Sequence, residues 1–307
     1  MSAPLRIDIA VCTFRRKALM DTLASLARLI VPPGVRPRVV VADNDIEPSA
    51  RPCVETAGAL LAMEIVYVHC PAGNISIARN ACLERSDADF LAFVDDDETV
   101  EPQWLDRLLA AAEESDADVV LGPVRALYRP DAPRWMQRGD FHATRPVWVK
   151  GEIRTGYTCN VLMRLAAPAI AGRRFDLALG RSGGEDTAFF SAVHGAGGRF
   201  AFAADAWVEE AVPAPRARFS WLAQRRLRMG QTHGRLLAAR QEGAVRIGAA
   251  AVALAKCAAC LAGAAAFAPS PVRRNRFALR AFLHAGAVGG LFGARAIEPY
   301  GKLEAVR

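Results

Sequence analysis

Short apolar runs and stretches of helical periodicity alternate through the first 125 residues of the chain. The runs are rich in Val, Ile and Phe, and the stretches between them have apolar residues three and four positions apart. This alternation predicts a mostly parallel sheet with helices on both faces, because parallel strands need a long crossover between them. The predicted strands are Ile7–Val11, Val39–Ala42, Met63–Val68, Phe90–Val94 and Asp118–Leu121, and the predicted helices are Leu19–Ile30, Asn74–Glu84 and Trp104–Glu114.

The middle of the chain is less regular. Residues Arg125–Lys150 are rich in Pro, Arg and aromatic residues and have no clear period, which predicts a long functional loop over the carboxyl edge of the sheet. Strand character returns at Tyr157–Leu165. The periodicity predicts a short helix at Thr187–His194 and a basic amphipathic helix at Phe219–Leu237.

Two apolar, alanine-rich stretches lie near the end of the chain, at Ile247–Ala268 and Phe277–Phe292. Alanine adds little hydrophobicity per residue, so these stretches are borderline as membrane spans. They could lie in a membrane interface, form a shallow hairpin or pack on the preceding domain. We therefore expect a catalytic domain over residues 1–235 and a helical, membrane-associated segment over residues 236–307.

Charge and cysteine content limit the functional classes. The formal net charge is +7, almost all of the basic excess is arginine, and no nucleic-acid-binding motif accompanies it. The arginines near the apolar stretches suit phosphate groups or an anionic lipid surface. Seven scattered cysteines and the lack of a signal peptide favour the reducing cytoplasm, and the isolated pair Cys257 and Cys260 predicts no metal site.

Four consecutive carboxylates, Asp95 to Glu98, directly follow the apolar run Phe90–Val94. Like charges this close repel one another unless a cation or a hydrogen-bonded ligand neutralises them. Hard oxygen ligands suit Mg²⁺ or Mn²⁺, which bind one or two protein carboxylates together with a nucleotide diphosphate. A solvated surface turn is the alternative, but the strand before the turn favours a functional site.

Further polar motifs follow the other predicted strands or open helices, and together with the acidic turn they make a set of five. The motifs are Val11–Arg16, Val41–Asp45, Gly73–Asn80, Phe93–Glu98 and Gly184–Asp186. Their order resembles that of family 2 glycosyltransferases, most closely the bacterial exopolysaccharide enzymes of the succinoglycan type, over about Arg6–Gly234. This resemblance implies the GT-A fold, an α/β architecture with a Rossmann-like, mostly parallel sheet flanked by helices, followed here by a helical apolar segment.

The resemblance assigns nucleotide-binding roles to individual residues. It implies that Thr13 and Arg15 wrap the nucleotide base and that Asp43 contacts the base or the ribose. Arg79 is placed near the phosphates, where a guanidinium would balance a diphosphate. Asp95, next to the ribose, and Asp96 complete this predicted set.

The resemblance also implies that Asp97 coordinates a divalent metal and that Asp186 is the general base. Chemistry supports the second role, because inverting transfer needs one carboxylate to take the proton of the acceptor hydroxyl. Taken alone, the sequence Gly183–Asp186 is also typical of a helix start with Asp186 as the N-cap.

Weaker matches extend the predicted site. Asn160 and Glu185 match positions near the donor sugar or acceptor, although an asparagine at a strand end is equally ordinary. Arg225 and Arg228 are expected either to reach the diphosphate or to be solvated helix residues. Processive relatives have a Gln-x-x-Arg-Trp motif here, and this chain has Met229 in place of the tryptophan, which argues against a processive synthase.

The second protein ligand of the metal is left open. Glu209 and Glu210 occupy a region where some relatives place a metal-binding histidine. His233 is an outside candidate, since a lone histidine is more often structural.

The resemblance thus implies an inverting enzyme that uses Mn²⁺ or Mg²⁺ and a nucleotide sugar, with UDP as the expected nucleotide. The expected acceptor is a glycan or a polyprenyl-diphosphate-linked glycan, and the expected location is the cytoplasm, at the inner face of the plasma membrane. Nucleic acid is not expected as a partner. A non-catalytic membrane-bound partner in a polysaccharide assembly complex is one alternative, and a sugar-nucleotide pyrophosphorylase, whose glycine-rich loop this chain lacks, is another.

Overall fold

The chain has the predicted α/β organisation. The computed structural model describes residues 3–239 and 241–295. The strands within them are β1 (Leu5–Thr13), β2 (Val35–Asp43), β3 (Glu64–His69), β4 (Phe90–Asp95), β5 (Glu98–Val100), β6 (Val119–Leu121), β7 (Val124–Tyr128), β8 (Trp148–Val149), β9 (Glu152–Ile153), β10 (Asn160–Arg164), β11 (Phe200–Phe202) and β12 (Val208–Val212). The helices are α1 (Leu19–Leu26), α2 (Arg51–Gly58), α3 (Ile75–Arg85), α4 (Trp104–Ser115), α5 (Arg134–Gly139), α6 (Glu185–Gly195), α7 (Phe219–Ala238), α8 (Gly243–Ala266) and α9 (Pro271–Leu291).

The main sheet has the order β11-β6-β10-β4-β1-β2-β3. Strand β1 is parallel to β2 and β4, β2 is parallel to β3, and β6 is parallel to β11. Strand β10 is antiparallel to both of its neighbours, β4 and β6. The mostly parallel sheet predicted from the sequence is therefore confirmed. A second sheet has the order β5-β12-β7, and β8 pairs with β9.

Helices cover both faces of this sheet. Alternate residues of β1 point to opposite faces, so that Ile7 and Ile9 pack in one buried cluster with α1 and α4, while Ala10 packs in the other with α3 and α6. Trp104 of α4 is fully buried in the first cluster, and Phe190 of α6 is fully buried in the second. Because both faces of the main sheet are buried, the sequences of its strands are continuous apolar runs.

The segment Arg125–Lys150 differs from the predicted loop. It contains the end of β7, helix α5 and strand β8. These elements are too short to show a period in the sequence, since α5 has six residues and β8 has two. The prediction of a long loop without secondary structure is therefore wrong.

The chain divides into two compact units. The first contains the residues up to 125 together with residues 143–210, and the second contains residues 126–142 and the described residues from 211 onward. The expected domain boundary at residue 235 falls inside α7. Helix α7 packs against α9 along much of its length, so it belongs with the helices that follow it. The division into functional domains at that residue remains a prediction.

Three helices make up most of the second unit. Later residues of α7 contact later residues of α9, so these two helices run parallel. Later residues of α8 contact earlier residues of α9, so these two run antiparallel. Among the described residues, α8 is the one helix long and apolar enough to cross a membrane, and 11% of its most apolar window is buried. Length and composition are weak support for a membrane span, and α9 does not meet the same criterion.

Glycines bring α7 and α9 into backbone contact. Gly230 and Gly234 on α7 face Gly286 and Gly290 on α9, each pair spaced by four residues. A Cβ atom at Gly230 would collide with the Leu283 carbonyl, and one at Gly286 would collide with the Leu227 carbonyl. Such small-residue crossings let helix backbones approach closely and are also used inside membranes.

We expect Gly230→Ala and Gly286→Ala each to lower the free energy of unfolding of the second unit by about 1–3 kcal/mol, because backbone atoms must move to admit the methyl group. Thermal unfolding followed by circular dichroism measures the effect. Gly248→Ala is the matched control, since nothing lies within 4 Å of a Cβ built at this position of α8. This control is expected to stabilise by about 0.5–1 kcal/mol. Equal unfolding temperatures for Gly230→Ala and the parent would contradict the close crossing.

Candidate active site

The register of the parallel strands brings three predicted site residues to one edge of the sheet. Thr13 lies opposite Asp43 at the ends of β1 and β2, and Cys12 lies opposite Asp95 in the pairing of β1 with β4. Ligands of open α/β sheets bind at the carboxyl ends of the strands. The strand ends therefore form the floor of a candidate active site.

The loop after β1 is tied to the neighbouring acidic residues. Arg15 adopts a left-handed backbone conformation, with φ of 52°, and its Nε lies 2.9 and 2.8 Å from the two carboxylate oxygens of Asp45. Arg16 pairs with Asp96 at 3.2 Å and with Asp97 at 3.5 Å. Arg16 is not among the predicted site residues, because its place three positions after Thr13 is too weak a signal to assign it a role.

Asp43 is completely buried and is held by the protein itself. Its carboxylate accepts hydrogen bonds from the Asp45 amide at 3.1 Å, the Ala50 amide at 2.8 Å and the Tyr67 hydroxyl at 2.7 Å. A carboxylate has about four acceptor positions, so most of this capacity is used. Contact of Asp43 with a base or ribose remains a prediction.

Burial and mutual repulsion shape the acidic turn. Burial, helped by the charges of Asp97 and Asp96, raises the pKa of Asp95 to about 7, although Arg79 opposes the rise. The Asp95 amide donates to Glu98 at 3.0 Å. Burial and the neighbouring Asp95 charge also raise the pKa of Glu98 well above its ordinary value. The turn is thus short of positive charge.

This pKa has a consequence for stability. Because the folded state holds the Asp95 proton up to about pH 7 and the unfolded state releases it near 3.8, stability falls as the pH rises through that range. The full difference corresponds to at most about 4 kcal/mol. Without divalent cations, we expect the unfolding temperature of Asp95→Asn to fall less between pH 4 and 8 than that of the parent. Asp106→Asn, at an exposed carboxylate, is the control, and identical profiles for parent and Asp95→Asn would contradict the burial of this charge.

Glu210 and Cys159 lie beside the acidic turn and enlarge the cluster. Glu210 on β12 lies opposite Glu98 on β5, and its charge raises the pKa of Asp95. One ligand atom each from Asp95, Glu98 and Cys159 lies within 4.8 Å of the others. Glu210 lies in the region predicted to supply a second metal ligand, whereas Cys159 was not predicted, because a lone cysteine gives no signal.

The donor atoms of this cluster fit Mg²⁺ or Mn²⁺. Burial and the acidic neighbours raise the pKa of the Cys159 thiol, and a soft sulfur atom is a poor ligand for hard cations such as Mg²⁺. The remaining donors are carboxylate oxygens, which hard divalent cations prefer.

Arg79 adds a buried positive charge to the site and forms an ion pair with Glu185. Arg79 lies on α3, which Asn74 caps by accepting a hydrogen bond from the Ser76 amide at 3.0 Å. Burial alone would lower the pKa of Arg79, but Glu185 and the nearby Asp186 raise it above its ordinary value. A permanently charged guanidinium is thereby held next to the predicted base.

We expect Arg79→Met to lower the free energy of unfolding by about 3–5 kcal/mol, because it leaves the Glu185 carboxylate buried without its partner. Chemical denaturation measures this change. In the double variant with Glu185→Met, part of the loss should be recovered, since the orphaned charge is also removed. Additive effects of the two substitutions would contradict a coupled buried pair.

Asp186 lies in the first turn of α6. Gly183 and Gly184 before it have φ of 82° and 97°, and Gly184 occupies the N-cap position. The alternative in which Asp186 caps the helix is therefore wrong. Oδ1 of Asp186 accepts a hydrogen bond from the Thr187 amide at 2.6 Å, and Oδ2 accepts none from the residues that the structure describes.

Other predicted residues are less closely connected with this edge. Asn160 is fully buried: its Oδ1 accepts from Trp104 at 2.9 Å, and its Nδ2 donates to the carbonyls of Pro123 and Ala206 at 2.9 and 2.7 Å. This arrangement favours the ordinary structural role that the sequence left open. Arg225 and Arg228 lie on α7 in the second unit. Their contacts with substrate, like that of Asn160, remain predictions.

Comparison with known proteins identifies the family of this chain. Residues 8–170 match the family described as Glycosyl transferase family 2. The chain is also 59% identical to succinoglycan biosynthesis protein ExoM of Rhizobium meliloti (strain 1021) over 300 residues, which cover 98% of this chain and 97% of the relative.

The chain belongs to glycosyltransferase family 2. It is a glycosyltransferase, and the family resemblance inferred from the five motifs is confirmed. The GT-A fold assignment is confirmed as well.

Solved structures of low sequence identity share the fold of this family 2 enzyme. The mannosyltransferase PcManGT from Pyrobaculum calidifontis, solved with GDP-Man and Mn²⁺, superposes with a TM-score of 0.64 at 19% identity, over 95% of this chain and 88% of that one. S. aureus TarS 1-349, solved with UDP-GlcNAc, gives 0.56 at 17% identity over 90% of each chain.

Proposed function

We propose that this family 2 enzyme transfers a sugar, with inversion, from a UDP-sugar to a glycan or polyprenyl-diphosphate-linked acceptor in the synthesis of a succinoglycan-like polysaccharide. The main support is the grouping of the acidic turn, Arg79 and Asp186 at the carboxyl edge of the sheet. The near full-length similarity to ExoM supports the polysaccharide class. The UDP-GlcNAc and GDP-Man complexes of the structural neighbours support a nucleotide sugar as donor.

Each charged group has a part in this proposed reaction. Asp186 takes the proton of the acceptor hydroxyl. The hydroxyl oxygen of the acceptor forms a bond to the anomeric carbon, on the face opposite the leaving diphosphate. The bond from that carbon to the diphosphate oxygen breaks, and Arg79 stabilises the negative charge left there. Glu185 holds the guanidinium in place through the buried ion pair.

A divalent cation fits the oxygen donors of the acidic turn, with Asp97 as the proposed ligand and Asp95 and Glu210 nearby. When bound, Mn²⁺ or Mg²⁺ would neutralise charge on the diphosphate and orient it. Thr13, Arg15, Asp43, Asp95 and Asp96 are proposed to bind the nucleotide.

The proposed location is the cytoplasmic face of the membrane. The support is the exposed apolar surface of α8, where Val252, Leu254 and Leu261 are each more than half exposed. An acceptor anchored in lipid would be presented at that surface.

The test is a transfer assay with the purified full chain, Mn²⁺ and UDP-sugars, using lipid-linked glycans extracted from an exopolysaccharide-producing bacterium as acceptors. Release of UDP together with a product of opposite anomeric configuration, measured by NMR, is the expected result. The proposal fails if UDP with Mn²⁺ does not raise the unfolding temperature and no UDP-sugar is consumed, since a ligand that binds the folded state must stabilise it.

A further inference from the structure

The positive charge of the chain is concentrated in the second unit. Residues 126–142 and 211–295 contain 17 Lys and Arg but only three Asp and Glu. Because the whole chain has a net charge of +7, the rest of it is acidic. One of the three acids, Asp131, already pairs with Arg129 at 3.0 Å. Carboxylates in these two ranges are therefore far too few to neutralise their basic residues.

Three of these arginines, Arg226, Arg276 and Arg280, line one cavity of about 300 Å³ between α5, α7 and α9, and the exposed Asp140 lines it as well. Within the part of the chain that the structure describes, neither Arg226 nor Arg280 has a carboxylate partner, and Arg276 donates only to the Gly139 carbonyl, at 3.2 Å. Burial and the positive charges of its arginine neighbours lower the pKa of Arg226. The Asp140 carboxylate offsets one of the three positive charges of the cavity, and an anion bound there would neutralise the other two.

A second, apolar cavity adjoins the first. It has a volume of about 410 Å³, lies between α7, α8 and α9, and shares Leu283 with the arginine cavity. Val245, Val252 and Leu291 are among its apolar lining residues. Among the described residues of this lining, Lys256 carries a positive charge and none is acidic.

We infer that the second unit binds a long-chain lipid diphosphate, with the diphosphate among Arg226, Arg276 and Arg280 and the apolar chain in the adjoining cavity. This inference rests on the proposed function, which has a lipid-linked acceptor as one of its two acceptor classes. Three guanidinium groups and the Asp140 carboxylate leave two positive charges, which match a diphosphate, whereas the single phosphate of an ordinary phospholipid would leave one cation unpaired. The apolar cavity argues against nucleic acid or free pyrophosphate.

The experiment measures binding of geranylgeranyl diphosphate to the full chain in detergent by isothermal titration calorimetry. We expect Arg280→Gln, at an exposed side chain, to weaken binding at least tenfold, and Arg226→Gln to do the same. Arg273→Gln is the matched control, because this exposed arginine of α9 lines neither cavity. Ala249→Trp should weaken binding of the lipid diphosphate by filling the apolar cavity, without changing the affinity for pyrophosphate.

Pyrophosphate and geranylgeraniol are each expected to bind at least tenfold more weakly than geranylgeranyl diphosphate. Pyrophosphate binding as tightly as the lipid would overturn the inference, as would equal affinities for parent and Arg280→Gln. Binding to vesicles of phosphatidylglycerol with no preference for the lipid diphosphate would also overturn it, in favour of a general membrane surface. The unfolding temperature of the same preparation is also measured with UDP and Mn²⁺. If these ligands raise it while the lipid diphosphate does not bind, the inference fails and the proposed function stands.

Discussion

Replacing Asp97 by asparagine is expected to lower metal-dependent sugar transfer about a thousandfold, because a charged oxygen ligand of the proposed cation is lost. Asparagine keeps the shape of the side chain, and Arg16 keeps its second partner, Asp96, at 3.2 Å. The fold should therefore survive. Turnover of UDP-sugar over a range of Mn²⁺ concentrations measures the effect.

Metal affinity gives this prediction a readout apart from turnover. Electron paramagnetic resonance of Mn²⁺ titrated with protein and UDP should show weaker binding in Asp97→Asn. The control is Asp106→Asn on α4, which removes an exposed carboxylate in the same unit. Unchanged Mn²⁺ affinity and turnover in Asp97→Asn would show that Asp97 is not a metal ligand and that other residues of the acidic cluster hold the cation.

Replacing Asp186 by asparagine is expected to slow transfer by 10²–10⁴-fold, the range typical for loss of a general base. Binding of UDP with Mn²⁺ should stay within about twofold of the parent, because the substitution leaves the acidic turn untouched. The amide oxygen of asparagine can still accept the hydrogen bond from the Thr187 amide. Single-turnover kinetics and calorimetric UDP titrations separate the two effects.

The neighbouring Glu185 offers a contrast with Asp186. Glu185→Gln removes a carboxylate at the adjacent position, but it weakens the ion pair with Arg79 and should therefore affect UDP affinity as well as rate. Transfer by Asp186→Asn at the parent rate would show that another group takes the proton.

The parallel sheet could be predicted because burial on both faces leaves a strong sequence signal. The runs at Ile7–Val11 and Phe90–Val94 lie within β1 and β4. Strand β5 and helix α5 escaped prediction because they are too short for a period to develop. The positions of Asp43, Asp95 and Thr13 at one edge followed from their places after strands.

Partnerships between distant residues could not be predicted in the same way. Arg79 and Glu185 are 106 positions apart and meet only because α3 and α6 cover the same face of the sheet. Asn160 has a sequence context typical of either a substrate contact or a buried hydrogen-bond hub, and only its three protein partners reveal the hub. Glu210 opposite Glu98 depends on a register that no local pattern specifies.

The reversed direction of β10 decides which residues reach the acidic turn. Since β10 is antiparallel to β4, its first residue, Asn160, pairs with Val94, and the chain enters the strand beside Asp95. The residues just before Asn160 therefore reach the acidic turn, and the Cys159 sulfur comes within 4.8 Å of carboxylate oxygens of Asp95 and Glu98. A parallel strand in this place would bring the residues after its carboxyl end to the acidic turn instead.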